Sequence, residues 1–157
     1  MNAKYNIHGS YQNHSGQYLG GPVWDVWMLV KDFDPRWIGC QYDIRHATVE
    51  GAKSWPLALK LLQDHIKNIV IKDFKWVQTK KGWRIANVPL GEGMVDFDKY
   101  FELLKQLNIQ PPISIHIEYP LIKGNKLTKK EKRKQALNTI RSEAERLKSM
   151  LKKHSLV

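Results

Sequence analysis

Four short stretches place ionisable or amide side chains where extended runs end. They are Gln12 and His14 in YQNHSG, Asp43 and His46 in YDIRHA, Lys72 and Asp73 in IVIKDF, and His116 and Glu118 in SIHIEY. Carboxylates and imidazoles brought together could ligate a divalent cation. They could equally act as a general acid and a general base, with Lys72 as a fixed cation facing an oxyanion. Taken singly, each is an ordinary hydrogen-bonded polar group at a strand end. Four consecutive strand ends of this kind argue for a site, because α/β folds assemble sites at the carboxyl ends of their strands.

The elements that must position these groups alternate in type. An extended run is expected over about 4–10. Val23, Val26, Trp27 and Val30 then recur at helical spacing, and RWIGCQYD reads as a buried strand on which Gln41 and Asp43 share a face. In SWPLALKLLQDHI, Ser54 is a candidate N-cap and Pro56 stands in the first turn. IKNIVIKD is a β-branched strand, and KWVQTKKGWRIANV predicts a hairpin turning near Lys81-Gly82. DFDKYFELLKQLN is an amphipathic helix capped by Asp96. In PPISIHIEYP, Ser114, His116 and Glu118 share one face and Ile113, Ile115 and Ile117 the other. A long helix from about Thr128 to His154 ends the chain, expected to dock through Ile140, Ala144, Leu147 and Leu151 with its lysines in solvent. The fold class that follows is α/β, four βα units with parallel strands, a β-hairpin insertion and a long C-terminal helix. The chain is treated as one domain over 1–157, with the βα units in 1–120 and the basic helix in 121–157.

The segments YDIRHA, IKDFKW, PLGEGMVDF and SIHIEYP resemble, in order and spacing, the C-terminal half of the sugar phosphate isomerase/epimerase superfamily. This is the xylose-isomerase-like TIM-barrel group, which also contains endonuclease IV. The resemblance covers roughly residues 5–120. It implies half of a (β/α)8 barrel and a site that holds a divalent metal through side chains from four strand ends. Asp43 and His46 match the family's D-x-x-H motif, which makes Asp43 a metal ligand and His46 a substrate contact. Glu118 matches the last metal carboxylate. Two ligand positions differ: Gln12, beside His14, stands where the family has a carboxylate, and Val70 stands where it has a histidine. Asp43, Glu118 and Gln12 together suit Mg²⁺ or Mn²⁺ with several waters better than Zn²⁺. His14, His46 or His116 could complete the shell, or Lys72 could take over part of the cation's work.

On this reading the protein is a sugar or sugar phosphate isomerase/epimerase acting by proton transfer next to a carbonyl. Glu118, His46 and Lys72 are the catalytic candidates. His14, His46, Lys72 and His116 are the substrate-binding candidates. The alternative is a non-catalytic carbohydrate-binding or interaction module that has lost part of the metal site. Family members are usually near twice this length, so the chain is expected to pair with a second copy of itself or with a separate N-terminal half-barrel.

Composition narrows the partners. The chain has 157 residues, 42% of them hydrophobic, enough for a packed core. Its net charge of +11 is concentrated: residues 121–157 hold 12 Lys or Arg against three Glu, and residues 1–120 hold 14 against 12. A nearly balanced body argues against a nucleic-acid role, and a small-molecule sugar is the expected ligand. No apolar run is long enough for a membrane span, the N-terminal stretch lacks a signal-peptide pattern, and a cytoplasmic location is the default. The single cysteine, Cys40, excludes an internal disulfide and is expected in the core.

Overall fold

The computed structural model describes residues 1–157. A single helical turn, α1 (Asn2–Tyr5), precedes the first strand, β1 (Gly9–Gln12). The extended run expected over 4–10 therefore begins later, because Asn6 takes a left-handed conformation (φ 52°) that ends the turn. Helix α2 (Val23–Val30) buries Val23, Val26 and Val30 and leads to β2 (Ile38–Asp43). A short helix absent from the sequence reading, α3 (Ile44–Gly51), starts immediately after β2. Then come α4 (Trp55–Leu62) and β3 (Ile66–Ile71). Strands β4 (Asp73–Thr79) and β5 (Gly82–Val88) form the antiparallel hairpin. The chain ends with α5 (Phe97–Gln106), β6 (Ile113–Ile115) and α6 (Lys129–Lys153).

Strands β1, β2, β3 and β6 lie side by side in that order, all parallel. Each is followed by helix, so the four βα units are as expected. The helices cover one face, and Val26, Tyr42, Leu59, Leu62, Ile69, Ile71, Tyr100 and Phe101 pack there in one continuous core. Gly39 is needed for this close sheet: a side chain there would run into the carbonyl of His65 as β2 shifts register against β3 at Cys40/Gln41. Cys40 is fully buried in that core, and burial pushes its thiol up to about 12, far from a reactive thiolate.

Asp96 caps α5 as expected, accepting from the Lys99 N–H. Thr128, expected only as the start of α6, forms a complete capping box with Glu131. Ser54 occupies the N-cap of α4 but makes no cap bond; its hydroxyl donates back to the Gly51 carbonyl. Helix α6 docks differently from the expected stripe. Leu147 and Leu151 are buried and Ala144 is half-buried, but Leu137 and Ile140 are exposed. Polar contacts do the rest. Glu143 accepts from the Leu90 N–H at 3.0 Å while Arg146 donates to the Leu90 carbonyl at 2.9 Å, so both backbone groups of one loop residue are satisfied by the helix. Upstream, the helix meets the 121–123 segment through polar groups instead: Thr139 donates to the Leu121 carbonyl and Gln135 accepts from the Lys123 N–H.

Candidate functional site

Asp43 is the last residue of β2 and the N-cap of α3; its Oδ1 accepts from the backbone N–H of His46 at 3.1 Å. The D-x-x-H spacing is therefore a capping geometry, since an N-cap side chain meets the third residue of its helix. It delivers the His46 ring beside the capping carboxylate, with Nε2 at 3.5 Å from Asp43 Oδ2. Asn13, fully buried, locks this turn to the end of β1: its side chain donates to the Asp43 carbonyl at 3.0 Å and accepts from the Asp43 N–H at 2.8 Å. Gln12 donates to Asp43 Oδ2 at 2.9 Å, turning the amide's donor end inward.

Lys72 leaves β3 one residue past its end and reaches the same point. Its Nζ lies 3.1 Å from Asp43 Oδ2, 2.6 Å from Glu118 Oε1 and 2.8 Å from His46 Nε2. The Lys72 side chain is 3% exposed and that of Asp43 0%, whereas Glu118 is 40% exposed. The cluster is thus closed behind and open on the Glu118 side. Strand β6 stops at Ile115, although the His116 N–H still donates to the Ile71 carbonyl at 3.0 Å. The strict alternation expected through Glu118 accordingly ends with the strand, and Glu118 arrives by way of an irregular segment.

Of the sequence candidates, Gln12, Asp43, His46, Lys72 and Glu118 converge. His14 is exposed but packs against His46, the rings tilted by 36° with centroids 4.1 Å apart. His116 lies alongside and takes no part in the hydrogen bonds of the cluster. Asp73 departs from it. Its carboxylate turns away and accepts four backbone N–H groups, from Phe74 (2.8 Å), Gly91 (3.0 Å), Gly93 (2.8 Å) and Val95 (3.2 Å). It ties down the GEG loop, and a side chain at Gly93 would strike that carboxylate.

Three members of the cluster went unnoticed in sequence. Arg45, buried, brings NH1 to 2.9 Å from His46 Nδ1 and donates through NH2 to Asn87 on β5 at 2.7 Å. Asn87 in turn donates to the Glu118 carbonyl at 3.1 Å, so the hairpin is tied across the open side. The Ser15 hydroxyl lies 2.7 Å from His46 Nδ1. Arg45 sits inside D-x-x-H and was readable as a buried cation near Asp43; Asn87 is brought in only by the hairpin.

Electrostatics follow from this crowding. Burial and then the charges of Lys72 and Arg45 push His46 down to about 2, so its ring is neutral at ordinary pH. Burial outweighs the charge of Lys72 at Asp43 and holds that carboxyl above its usual range. Burial also acts upward on Glu118, but there the hydrogen bond and charge of Lys72 prevail, and the carboxyl lies below its usual range.

A stability consequence arises at His46. Below the ordinary histidine value of 6.5 the unfolded chain takes up a proton that the folded chain refuses down to about 2. Stability should therefore fall as pH drops through this window, by about 1.4 kcal/mol per unit at full slope. Urea unfolding of wild type and His46→Gln at pH 7.5, 6.5 and 5.5 isolates the effect. The difference between the two proteins should shrink as pH falls; a difference independent of pH would count against it.

The residues present do not fit a resident divalent metal. Val70 offers no donor atom, Gln12 presents its amide donor to Asp43, and an ammonium stands where the two carboxylates meet. A divalent cation about 3 Å from that ammonium would be repelled by on the order of 10 kcal/mol at an effective dielectric constant of about 20.

Residues 1–150 match the model of the xylose isomerase-like TIM barrel. The chain belongs to that family. Among solved structures, the xylose isomerase-like TIM barrels it resembles include a xylose isomerase domain protein from Planctomyces limnophilus (20% identity, TM-score 0.67, 99% of this chain and 49% of that one). A D-tagatose 3-epimerase-like protein is 22% identical with a TM-score of 0.69, covering 98% of this chain and 50% of its own. An L-ribulose 3-epimerase is 18% identical with a TM-score of 0.60, covering 98% and 52%. No curated protein matches. The chain spans about half the length of these xylose isomerase-like structures. At these identities the likeness shows the fold. No helix is long and apolar enough to cross a membrane.

Proposed function

We propose that the chain carries the C-terminal half of a sugar isomerase/epimerase site that moves a proton next to a carbonyl. The observation that supports it is the convergence of Asp43, Lys72 and Glu118 at the ends of β2, β3 and β6, where one ammonium faces two carboxylates. A sugar's carbonyl oxygen would dock on Lys72 by moving the half-exposed Glu118 carboxylate aside. Glu118 would then take the proton from the carbon next to the carbonyl. The C–H electrons become the C=C bond of an enediolate, and the carbonyl oxygen, now anionic, rests against Lys72. Return of the proton to the former carbonyl carbon isomerises, provided the neighbouring hydroxyl passes its proton to the anionic oxygen on Lys72 so that the carbonyl re-forms one carbon along. Delivery of a proton to the opposite face of the original carbon, by an acid outside these residues, re-forms the first carbonyl and epimerises. Neutral His46 would orient Lys72 and contact substrate, with His14 and His116 flanking.

The edges of the sheet bear on the intact assembly. Tyr5, Ile7, Tyr11, Tyr18 and Leu19 are exposed on and around β1, and Leu137 and Ile140 on α6. Unpaired strand edges with apolar neighbours invite a partner, and a second half, from another copy or another chain, would complete both the barrel and the second acid. Incubation with a panel of ketoses and aldoses in D2O is the test, read by NMR as deuterium at the carbon beside the carbonyl and abolished by Glu118→Gln. Sugars that bind without exchange, in the presence of any complementing half, would overturn catalysis. That outcome favours the second reading, a carbohydrate-binding module, which the loss of donors at Gln12 and Val70 supports.

A further inference from the structure

We infer that Lys72 Nζ is itself the cation of this site, built into the chain in place of a divalent metal. The geometry is that of an ion with a coordination shell. Nζ has Asp43 Oδ2 at 3.1 Å, Glu118 Oε1 at 2.6 Å and His46 Nε2 at 2.8 Å, two oxygens and a nitrogen supplied from the ends of three structural segments. An ammonium has three hydrogens to give, and two carboxylate oxygens lie within reach of them, while the His46 ring, whose Nδ1 accepts from the Ser15 N–H, packs against the third side. The Lys72 stem is buried, so the charge cannot withdraw to solvent as a surface lysine would.

The surroundings are arranged for a monovalent cation. Asp43 spends Oδ1 on capping α3 and shares Oδ2 with Gln12, leaving little for a metal. Arg45 stands beyond His46 and brings a second positive charge close to the cluster, which further disfavours a divalent ion. Two carboxylates against Lys72 and Arg45 are already balanced in charge. Removing the Lys72 ammonium would leave two converging carboxylates against the single charge of Arg45, a net negative site suited to a hard cation.

The inference stands apart from the proposed reaction, since it is read by metal binding and needs no turnover. The full chain, wild type and Lys72→Ala, is titrated with Mn²⁺ and bound metal is followed by electron paramagnetic resonance. Wild type should show no stoichiometric site up to millimolar Mn²⁺. Folded Lys72→Ala should bind one Mn²⁺ at least tenfold more tightly, and adding Asp43→Asn should remove that gain. One tightly held Mn²⁺ in wild type, or no gain in folded Lys72→Ala, overturns the inference. A second measurement covers poor folding of the variant. The Lys72 ammonium signal in ¹⁵N spectra of wild type should be unmoved by excess Mg²⁺, and its shift or loss on Mg²⁺ addition would equally overturn it.

Discussion

Asp73→Ala is expected to lower stability by about 4 kcal/mol, a large fraction of the roughly 5–15 kcal/mol that a folded domain holds in reserve. One carboxylate accepts four backbone N–H groups, from Phe74, Gly91, Gly93 and Val95. Phe74 and Val95 are buried, so alanine would leave donors facing no acceptor. Each hydrogen bond to a charged group is worth about 1.5–3 kcal/mol and stranding a buried donor carries a similar penalty. The sum is reduced because the loop can relax toward water. Asp73→Asn should be nearly as damaging, since its NH2 would confront two of the same donors. Urea unfolding should show a lower midpoint with unchanged slope, and amide exchange should lose protection first at Gly91, Gly93 and Val95. A loss under about 1 kcal/mol would mean that the GEG loop is held by something else, Arg146 and Glu143 on α6 being the nearest alternative.

Asp43→Ala is the second large effect, expected at about 3–5 kcal/mol because it breaks a buried ion pair and leaves the other charge behind. Asp43 is fully buried and Lys72 nearly so, with 3.1 Å between their charged atoms. The substitution also removes the N-cap of α3, itself worth about 1 kcal/mol. Glu118 still contacts Lys72, but from the open side, where water weakens the attraction. The diagnostic comparison is a double-mutant cycle. Lys72→Met alone should also be costly, by leaving Asp43 buried without its cation. The pair Asp43→Ala with Lys72→Met should be less harmful than the two singles added together, by at least about 1 kcal/mol. Additive losses would show that the two charges do not depend on each other, and would weaken both the site reading and the assignment of Lys72 as the built-in cation.

Much of this protein was legible from sequence, and the reason is periodicity. The apolar spacing of α2, α4 and α5 and the β-branched runs of β2 and β3 are local signals, because burial of one face demands them. The hairpin turn near Lys81-Gly82, the cap at Asp96 and the start of α6 at Thr128 are local as well, each set by residues within a few positions. So is the pairing of Asp43 with His46, which a capping bond across three residues enforces. Helix α3 is not legible because it is only eight residues long, starts directly after β2, and buries Arg45 and His46 where an amphipathic reading expects apolar side chains.

What tertiary structure alone decided is where long-range neighbours fall. Lys72 and Asp73 are adjacent and both ionisable, and nothing local separates their roles. The backbone alternation at the β3–β4 junction sends Lys72 into the cluster with Asp43 and Glu118 and sends Asp73 toward backbone donors some 20 residues downstream. Asn87 and Arg45 meet only because the hairpin folds over the strand ends. Leu137 and Ile140 continue the helical stripe of α6 yet stay in solvent, since a stripe is buried only where another surface lies beneath it. The sequence by itself determined the strand–helix order and the residue types at the strand ends, because those follow from spacing along one chain. Which charge sits between which carboxylates depended on the approach of β2, β3 and β6, a distance in space that no spacing along the chain encodes.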